Sequence, residues 1–565
     1  MRTGSPGPRS RRTGPLRVLA AFAVTLLAAT ACTSGGRGGA DGRVPVRATT
    51  PATYHQGTLR VLASSELSDM AKILTDARKA TGVDVKMTYS GTLDAAELVA
   101  DGGADGRYDA IWLSSNDYLR LLPGTGPKIT DETPVMSSPV AIGVRAEDAG
   151  LLGRPASDVT WSDVYDAVTR RGLTYGMTDP ARSNSGYAAL ISVTSALSDA
   201  QSALTQADVD RTSAKLTSFF SGQKLTSGSS GWLASAYRRD GSVNAMINYE
   251  SVLTELNRTE HAGLSVIRPK DGVVTANYPF TLLTSAPQDA RTSADALTGY
   301  LRTPAVQERI SRQTYRRPVV PAAAPAPGLG TDKRRELPFP GSLAVAGGLL
   351  DAYENKLRRP SRTVYVLDTS GSMAGDRLAR LKRALIGLTG SGTGGGGAGG
   401  GGASGDGAGG ADDGFRDREQ VTLMPFGTTV KQVTTRTVAP ADPTASLAVL
   451  RSDIGRLTAS GNTAVYDSLE AAYAHLGPGS ANTFTSIVLM TDGESNAGSP
   501  AGRFDTFYAG LPAAGRSTPV FPVVFGDADR AELQHIAALT GGRLFDATGG
   551  DAALDGAFEE IRGYQ

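Results

Sequence analysis

Val364-Tyr365-Val366-Leu367-Asp368-Thr369-Ser370-Gly371-Ser372-Met373 runs an apolar strand straight into a loop of the form D-x-S-x-S. Hard oxygen donors at this spacing suit magnesium, which demands a near-octahedral oxygen shell and keeps some of its water. Two later segments have the form needed to complete such a shell: Gly461-Asn462-Thr463-Ala464-Val465-Tyr466-Asp467 and Ile487-Val488-Leu489-Met490-Thr491-Asp492-Gly493-Glu494. A serine or aspartate after a strand is also an ordinary helix N-cap, and for Ser370 or Asp492 taken alone the cap is the better reading.

Together these segments resemble the von Willebrand factor type A domain with its metal-ion-dependent adhesion site, and all five expected positions are filled: Asp368, Ser370, Ser372, Thr463 and Asp492. The resemblance covers roughly the last third of the chain. It implies that the hydroxyls of Ser370, Ser372 and Thr463 touch the ion while Asp368 and Asp492 act mostly through bound water. The direct protein shell is then neutral, and an open position accepts a carboxylate from a partner protein. Magnesium is the expected ion; manganese fits the same oxygens, and calcium does so with longer bonds.

The other end of the chain reads differently. Arg2, Arg9, Arg11, Arg12 and Arg17 accompany an apolar run from Leu16 to Ala31, the length of a signal h-region and short for a transmembrane span. Residues 1–31 are expected to be a signal peptide. The run ends at Ala29-Thr30-Ala31-Cys32, and Cys32 is the only cysteine. This resembles a bacterial lipobox, with Ala29 where the pattern prefers leucine, and implies lipidation at Cys32 (palmitate) and a place on the outer face of the cytoplasmic membrane. The alternative is an ordinary cleavage site with an incidental cysteine. Residues 32–56, rich in Gly and Arg, read as a flexible tether.

A single cysteine rules out intrachain disulfides, so stability must come from apolar cores. With 565 residues, 40% of them apolar, there is material for two or three domains. A formal charge of +1 argues against a role resting on nonspecific attraction to nucleic acid. The membrane is expected to be met only through the lipid anchor.

From Gly57 the chain alternates strands and helices. Thr58–Ala63, Val83–Tyr89 and Tyr108–Leu113 are strand candidates that end at Ser64-Ser65, Ser90-Gly91-Thr92 and Ser114-Ser115. Strand, hydroxyl loop, helix implies a mostly parallel sheet that binds ligands at its carboxyl edge. Val135–Val144 carries the chain toward a second lobe, followed by Thr178–Tyr187, Ala245–Ser251, Val266–Pro269 and Asn277–Phe280. The order of elements resembles extracellular solute-binding proteins of the two-lobed, type 2 periplasmic design, over residues 57–358. The implied cleft is lined by Ser65, Ser90, Thr92, Ser114, Ser138, Ser185 and Tyr249. Hydroxyls and helix N-terminal amides can hold an oxyanion without a full counter-charge, although each serine also reads as a cap.

Within that domain, residues 316–341 contain six prolines (318, 321, 325, 327, 338 and 340) and form a semi-stiff connector. Leu343, Ala346, Leu349, Leu350 and Tyr353 then lie on one side of a helix expected to pack back on the first domain. The second domain spans 361–565, an α/β, doubly wound, Rossmann-like sheet, with the glycine-rich stretch 389–414 as a disordered loop.

Only four histidines occur, none in a zinc pattern, and no nucleophile elbow or Walker loop is present. A binding protein rather than an enzyme is expected. Two functions follow from the resemblances: an anchored adhesion or assembly protein whose metal site grips an acidic group of a partner protein, or a solute receptor of a transport system with an accessory docking domain.

Overall fold

The computed structural model describes residues 55–239, 241, 243–330, 332–391, 414–477 and 482–565. The expected signal peptide, Cys32 and nearly all of the expected tether lie outside them, as does most of the glycine-rich stretch. The ends of that stretch meet: Phe415 N–H donates to the Leu388 carbonyl at 2.7 Å. Among the described residues no helix is long and apolar enough to cross a membrane.

Two lobes make up the first domain. The first lobe is a sheet in the order Val83–Ser90, Gly57–Ser64, Ala110–Trp112, Pro279–Leu283, Ile129–Pro134. Its first three strands are parallel, Pro279–Leu283 runs antiparallel to them, and Ile129–Pro134, antiparallel to that strand, takes up the first direction again. The long strand Met136–Arg145 carries the chain into the second lobe and pairs antiparallel with Ala245–Tyr249 and Leu264–Ile267. Tyr175–Thr178 and Gln223–Ser227 extend that sheet in parallel. The chain returns through Thr275–Ala276 to the first lobe and passes back to the second at Arg316–Arg317, so three crossings join the lobes.

The proline-rich segment is not a free spacer between domains but is laid along the second lobe. Arg317–Pro318 pairs with Met136-Ser137, and Glu336 accepts from the Thr275 N–H and hydroxyl at 2.6 and 2.7 Å. Arg316 is buried and donates to Asp69 at 2.6 Å, while Arg317 makes a two-pronged contact with Glu250 at 2.7 and 2.8 Å. Proline excludes regular ladder bonding here, and these arginines hold the segment in its place. The helix Leu343–Ala352 buries Ala346, Leu349 and Leu350. Tyr353 follows, stacked edge-on to Phe220 with ring centres 5.1 Å apart and donating to Gln223 at 3.0 Å.

The second domain is a six-stranded sheet in the order Thr434–Thr437, Gln420–Phe426, Ser361–Asp368, Phe484–Thr491, Val520–Val524, Phe545–Asp546. All pairs are parallel except the edge strand Thr434–Thr437, which runs antiparallel to its neighbour. Ser361–Asp368 is central and almost wholly buried, as a strand covered by helices on both faces must be. Apolar cores fill both faces, one around Tyr365, Leu367, Val488 and Met490 and the other around Val364, Val366, Ile487 and Leu489.

Beneath the first face, Arg562 donates to both carboxylate oxygens of Glu419 at 2.7 and 2.6 Å, and neither side chain is exposed. Burial alone would raise the Glu419 pKa; the Arg562 charge and hydrogen bonds outweigh it and hold the group below its ordinary value. A depressed carboxylate contributes stability that is present above its unfolded pKa and lost as pH falls through the folded one. Replacing Arg562 with methionine strands Glu419 in the core, and the expected loss is about 3–5 kcal/mol near neutral pH. Urea unfolding should show that loss shrinking toward about pH 4, where an unpaired glutamate protonates; an equal loss at both pH values would refute the assignment.

Candidate functional site

The parallel register delivers Asp368 and Asp492 to one edge. Leu367 pairs with Met490 and Asp368 with Phe426, so the ends of three adjacent strands emerge together. The loop before Thr463 is drawn across this edge by its backbone: Ser460 N–H donates to Thr369 O, and Gly371 N–H to Gly461 O, both at 2.8 Å. Gly461 has φ of 85°, and a β-carbon there would stand 2.9 Å from the Thr428 hydroxyl. Only glycine takes both conditions without strain.

Asp368 accepts from the Ser370 N–H at 2.8 Å and from the Thr491 hydroxyl at 2.7 Å. The Ser370 and Ser372 hydroxyls are 2.9 Å apart, and Ser372 donates to Asp492 at 2.8 Å. Four of the five residues singled out by the sequence therefore lie in one short polar chain. Thr463 is buried alongside, its N–H held by Asn496 Oδ1 and its carbonyl taking the N–H groups of Asn496 and Ala497, at 2.9 to 3.1 Å. Sequence reasoning missed Thr491 and Arg377. Arg377 donates to Asp492 at 2.7 Å and to the exposed Asp527 at 2.7 Å.

Burial raises the Asp368 pKa, and the charge of Asp492 adds to this; the bonds from Thr491 and Ser370 pull the other way. Two fully desolvated carboxylates share this edge with one guanidinium on the Asp492 side. Among the described residues no group of three or more His, Cys, Asp or Glu side chains is arranged to hold a metal, so the donors here are hydroxyls with carboxylates behind them. Such a set fits a hard divalent cation that retains water and fits a soft one poorly. Next to the edge lies a depression of about 540 Å³ lined by Tyr466, Glu494, Asn496, Ser499, Asp529 and Glu532.

The residues expected in the interlobe cleft distribute unevenly. Thr92 and Ser114 come together, but with Ser64: Ser64 and Thr92 hydroxyls are 2.8 Å apart, and the Ser114 N–H donates to Ser64 at 2.9 Å. Ser65 is exposed and stands outside this cluster, because the strand runs one residue further than its apolar pattern. Ser90 is half-buried at the strand end opposite Ser64. Ser138 pairs with Ser251 at 3.1 Å, and Ser185 lies among Thr178, Ser183 and Ser230 at 2.8 to 3.1 Å. The Tyr249 hydroxyl accepts from Asn184 at 2.7 Å. A carboxylate that the sequence reading overlooked enters the first cluster: Glu66 accepts from Ser114 at 2.6 Å and from Tyr278 at 3.3 Å.

With this geometry in hand, comparison with known families is informative. The profile of the bacterial extracellular solute-binding protein matches residues 59–316, and that of the von Willebrand factor type A domain matches residues 364–559. The chain joins a solute-binding domain to a type A domain. Both are binding modules, and together they make this an extracellular binding protein.

Among solved structures, the sulfate-binding protein SubI from Mycobacterium tuberculosis is 19% identical, covering 47% of this chain and 88% of its own, with a TM-score of 0.37. The apo ferric ion-binding protein A from Pasteurella haemolytica is 12% identical, covering 52% and 96%, with a TM-score of 0.42. A von Willebrand factor type A protein from Catenulispora acidiphila is 20% identical over 36% of this chain and 42% of its own, with a TM-score of 0.27. No curated protein matches the chain in sequence.

Thr491 provides a direct check on the type A domain's edge. It is fully buried, and Thr491→Val leaves one Asp368 oxygen without its donor, at an expected cost of about 1–3 kcal/mol. Equilibrium unfolding should register that loss at neutral pH. An unchanged midpoint would mean that Asp368 does not depend on this bond.

Proposed function

We propose that this protein is an anchored extracellular receptor whose type A domain uses a divalent cation to grip an acidic side chain of a partner protein. Asp368, Ser370, Ser372, Thr463 and Asp492 would hold the ion, magnesium by preference, and Cys32 would carry the lipid that keeps the protein at the outer face of the cytoplasmic membrane. The observation that carries this reading is the polar chain from Asp368 through Ser370 and Ser372 to Asp492, two buried carboxylates joined by hydroxyls at a sheet edge. When bound, the ion supplies an electron-poor centre with a position open to a carboxylate. The protein's part is to orient the hydroxyls and desolvate the two aspartates.

A soluble form starting after Cys32 provides the test. Cell-envelope proteins should be captured with magnesium by the natural sequence, released by chelator and not captured by Asp368→Ala. Capture that is identical in all conditions would overturn the reading. Arg377 makes a second expectation. Its positive charge lies close to the proposed ion, and charge repulsion at a partly exposed site amounts to one or two kcal/mol, so roughly tenfold tighter magnesium binding is expected in Arg377→Ala by calorimetry. Weaker binding would show that the guanidinium serves the site by holding Asp492.

The hydroxyl clusters, one in each lobe, favour a second reading, a receptor that delivers a small solute to a transporter. Mass spectrometry of the gently purified protein separates the two: a stoichiometric small molecule released on unfolding supports the receptor.

A further inference from the structure

One turn of the solute-binding domain touches three parts of the molecule. It spans residues 179–183, between the strand Tyr175–Thr178 and the helix Asn184–Ser198. Asp179 is fully buried and organises the turn: its side chain accepts from the Ala181 N–H at 3.0 Å, and its carbonyl accepts from the N–H groups of Arg182 and Ser183 at 3.1 and 2.9 Å.

Its other carboxylate oxygen faces the type A domain. Arg416 donates to it at 3.0 Å, and Arg358 stands 3.8 Å away. Arg416 is itself fixed by Glu354 at 3.0 Å and by the Arg562 carbonyl at 3.0 Å. The end of the type A domain presses on the same turn and its neighbour: a β-carbon on Gly563 would lie 2.7 Å from the Gly228 α-carbon and 3.3 Å from Arg182 Cγ. Trp232 and Tyr564 close the seam with ring centres 4.7 Å apart.

The front of the turn faces the first lobe. Arg182 Nη1 stands 3.7 Å from Asp94, and a β-carbon on Gly91 would meet the Arg182 carbonyl at 2.9 Å. Immediately after the turn, Asn184 donates to Tyr249. The residue that meets the opposite lobe therefore stands three positions from the one that the type A domain grips, within a turn tied by its own hydrogen bonds.

We propose that the 179–183 turn couples the domains: docking of the type A domain on Asp179 holds Arg182 where it latches the two lobes shut, so lobe closure and domain docking stabilise each other. A free-energy coupling between two contacts is reciprocal, so whatever occupies the closed cleft also tightens the seam. This coupling does not rest on metal binding at the sheet edge and can fail or hold independently of it.

Pulsed electron spin resonance between labels at Asp101→Cys on the first lobe and Lys215→Cys on the second, both exposed, in a Cys32→Ser background, reads lobe separation directly. The expected result is a narrow distribution in the parent and a shift to longer, broader distances in Arg416→Gln. Asp94→Ala, which removes the latch on the lobe side, should give the same shift. Arg436→Gln, which breaks a pair with the buried Asp453 within the type A domain and leaves that carboxylate its second partner, Arg456, should not. If Arg416→Gln does not fold, Gly563→Leu wedges the seam from the backbone side and must lengthen the distance likewise. A distribution unchanged in a folded seam variant overturns the proposal.

Discussion

Arg416 is the constraint on which the arrangement of the two domains depends. Its guanidinium reaches Asp179 of the second lobe and Glu354 beyond the helix Leu343–Ala352, and it also donates to the carbonyl of Arg562 near the end of the chain. Burying such charges is costly, and paired charges of this kind specify geometry more than they add stability. Arg358 is fully buried beside Arg416: burial first, and then the neighbouring positive charge, pull its pKa down to about 10. An apolar seam of equal area would tolerate sliding. This one fixes a single register, because any shift would leave desolvated charges without partners.

Away from that seam, the type A domain carries its candidate site at the carboxyl edge of its sheet. The parallel order of strands brings Asp368 and Asp492 together without any contact between their segments in sequence. The serines of the loop then complete a polar chain that satisfies each carboxylate only partly. Asp368 is left with two donors and a raised pKa, and Asp492 leans on a guanidinium that is itself shared with Asp527. Partial neutralisation in a desolvated setting is what would make this edge receptive to the proposed cation.

Legibility in the sequence followed the locality of the signal. Asp368, Ser370 and Ser372 lie in one loop after an unmistakable apolar strand, and Thr463 and Asp492 sit in segments with equally plain form. The two lobes were legible from the order of strand, hydroxyl loop and helix. Ser64 was displaced to Ser65 because the end of a strand is set by pairing, here with Ser90, and not by the apolar pattern. Glu66, directly after those serines, was the available hint that the cluster carries its own carboxylate. The edge strand Thr434–Thr437 is short and polar and offers no alternation to read. Arg416 with Asp179 could not be paired in advance, since they are 237 positions apart and each looks like an ordinary surface charge. The proline-rich stretch gave its lack of regular structure but not its course, which is dictated by Arg316 and Arg317 finding Asp69 and Glu250.

The most direct measurement is a crystal grown with manganese, with diffraction recorded at the manganese absorption edge. One strong anomalous peak is expected at the sheet edge, touched by the oxygens of Ser370 and Ser372 with Asp368 and Asp492 behind. A saturating concentration of manganese that leaves this edge without a peak, with Arg377 still seated on Asp492, would contradict it.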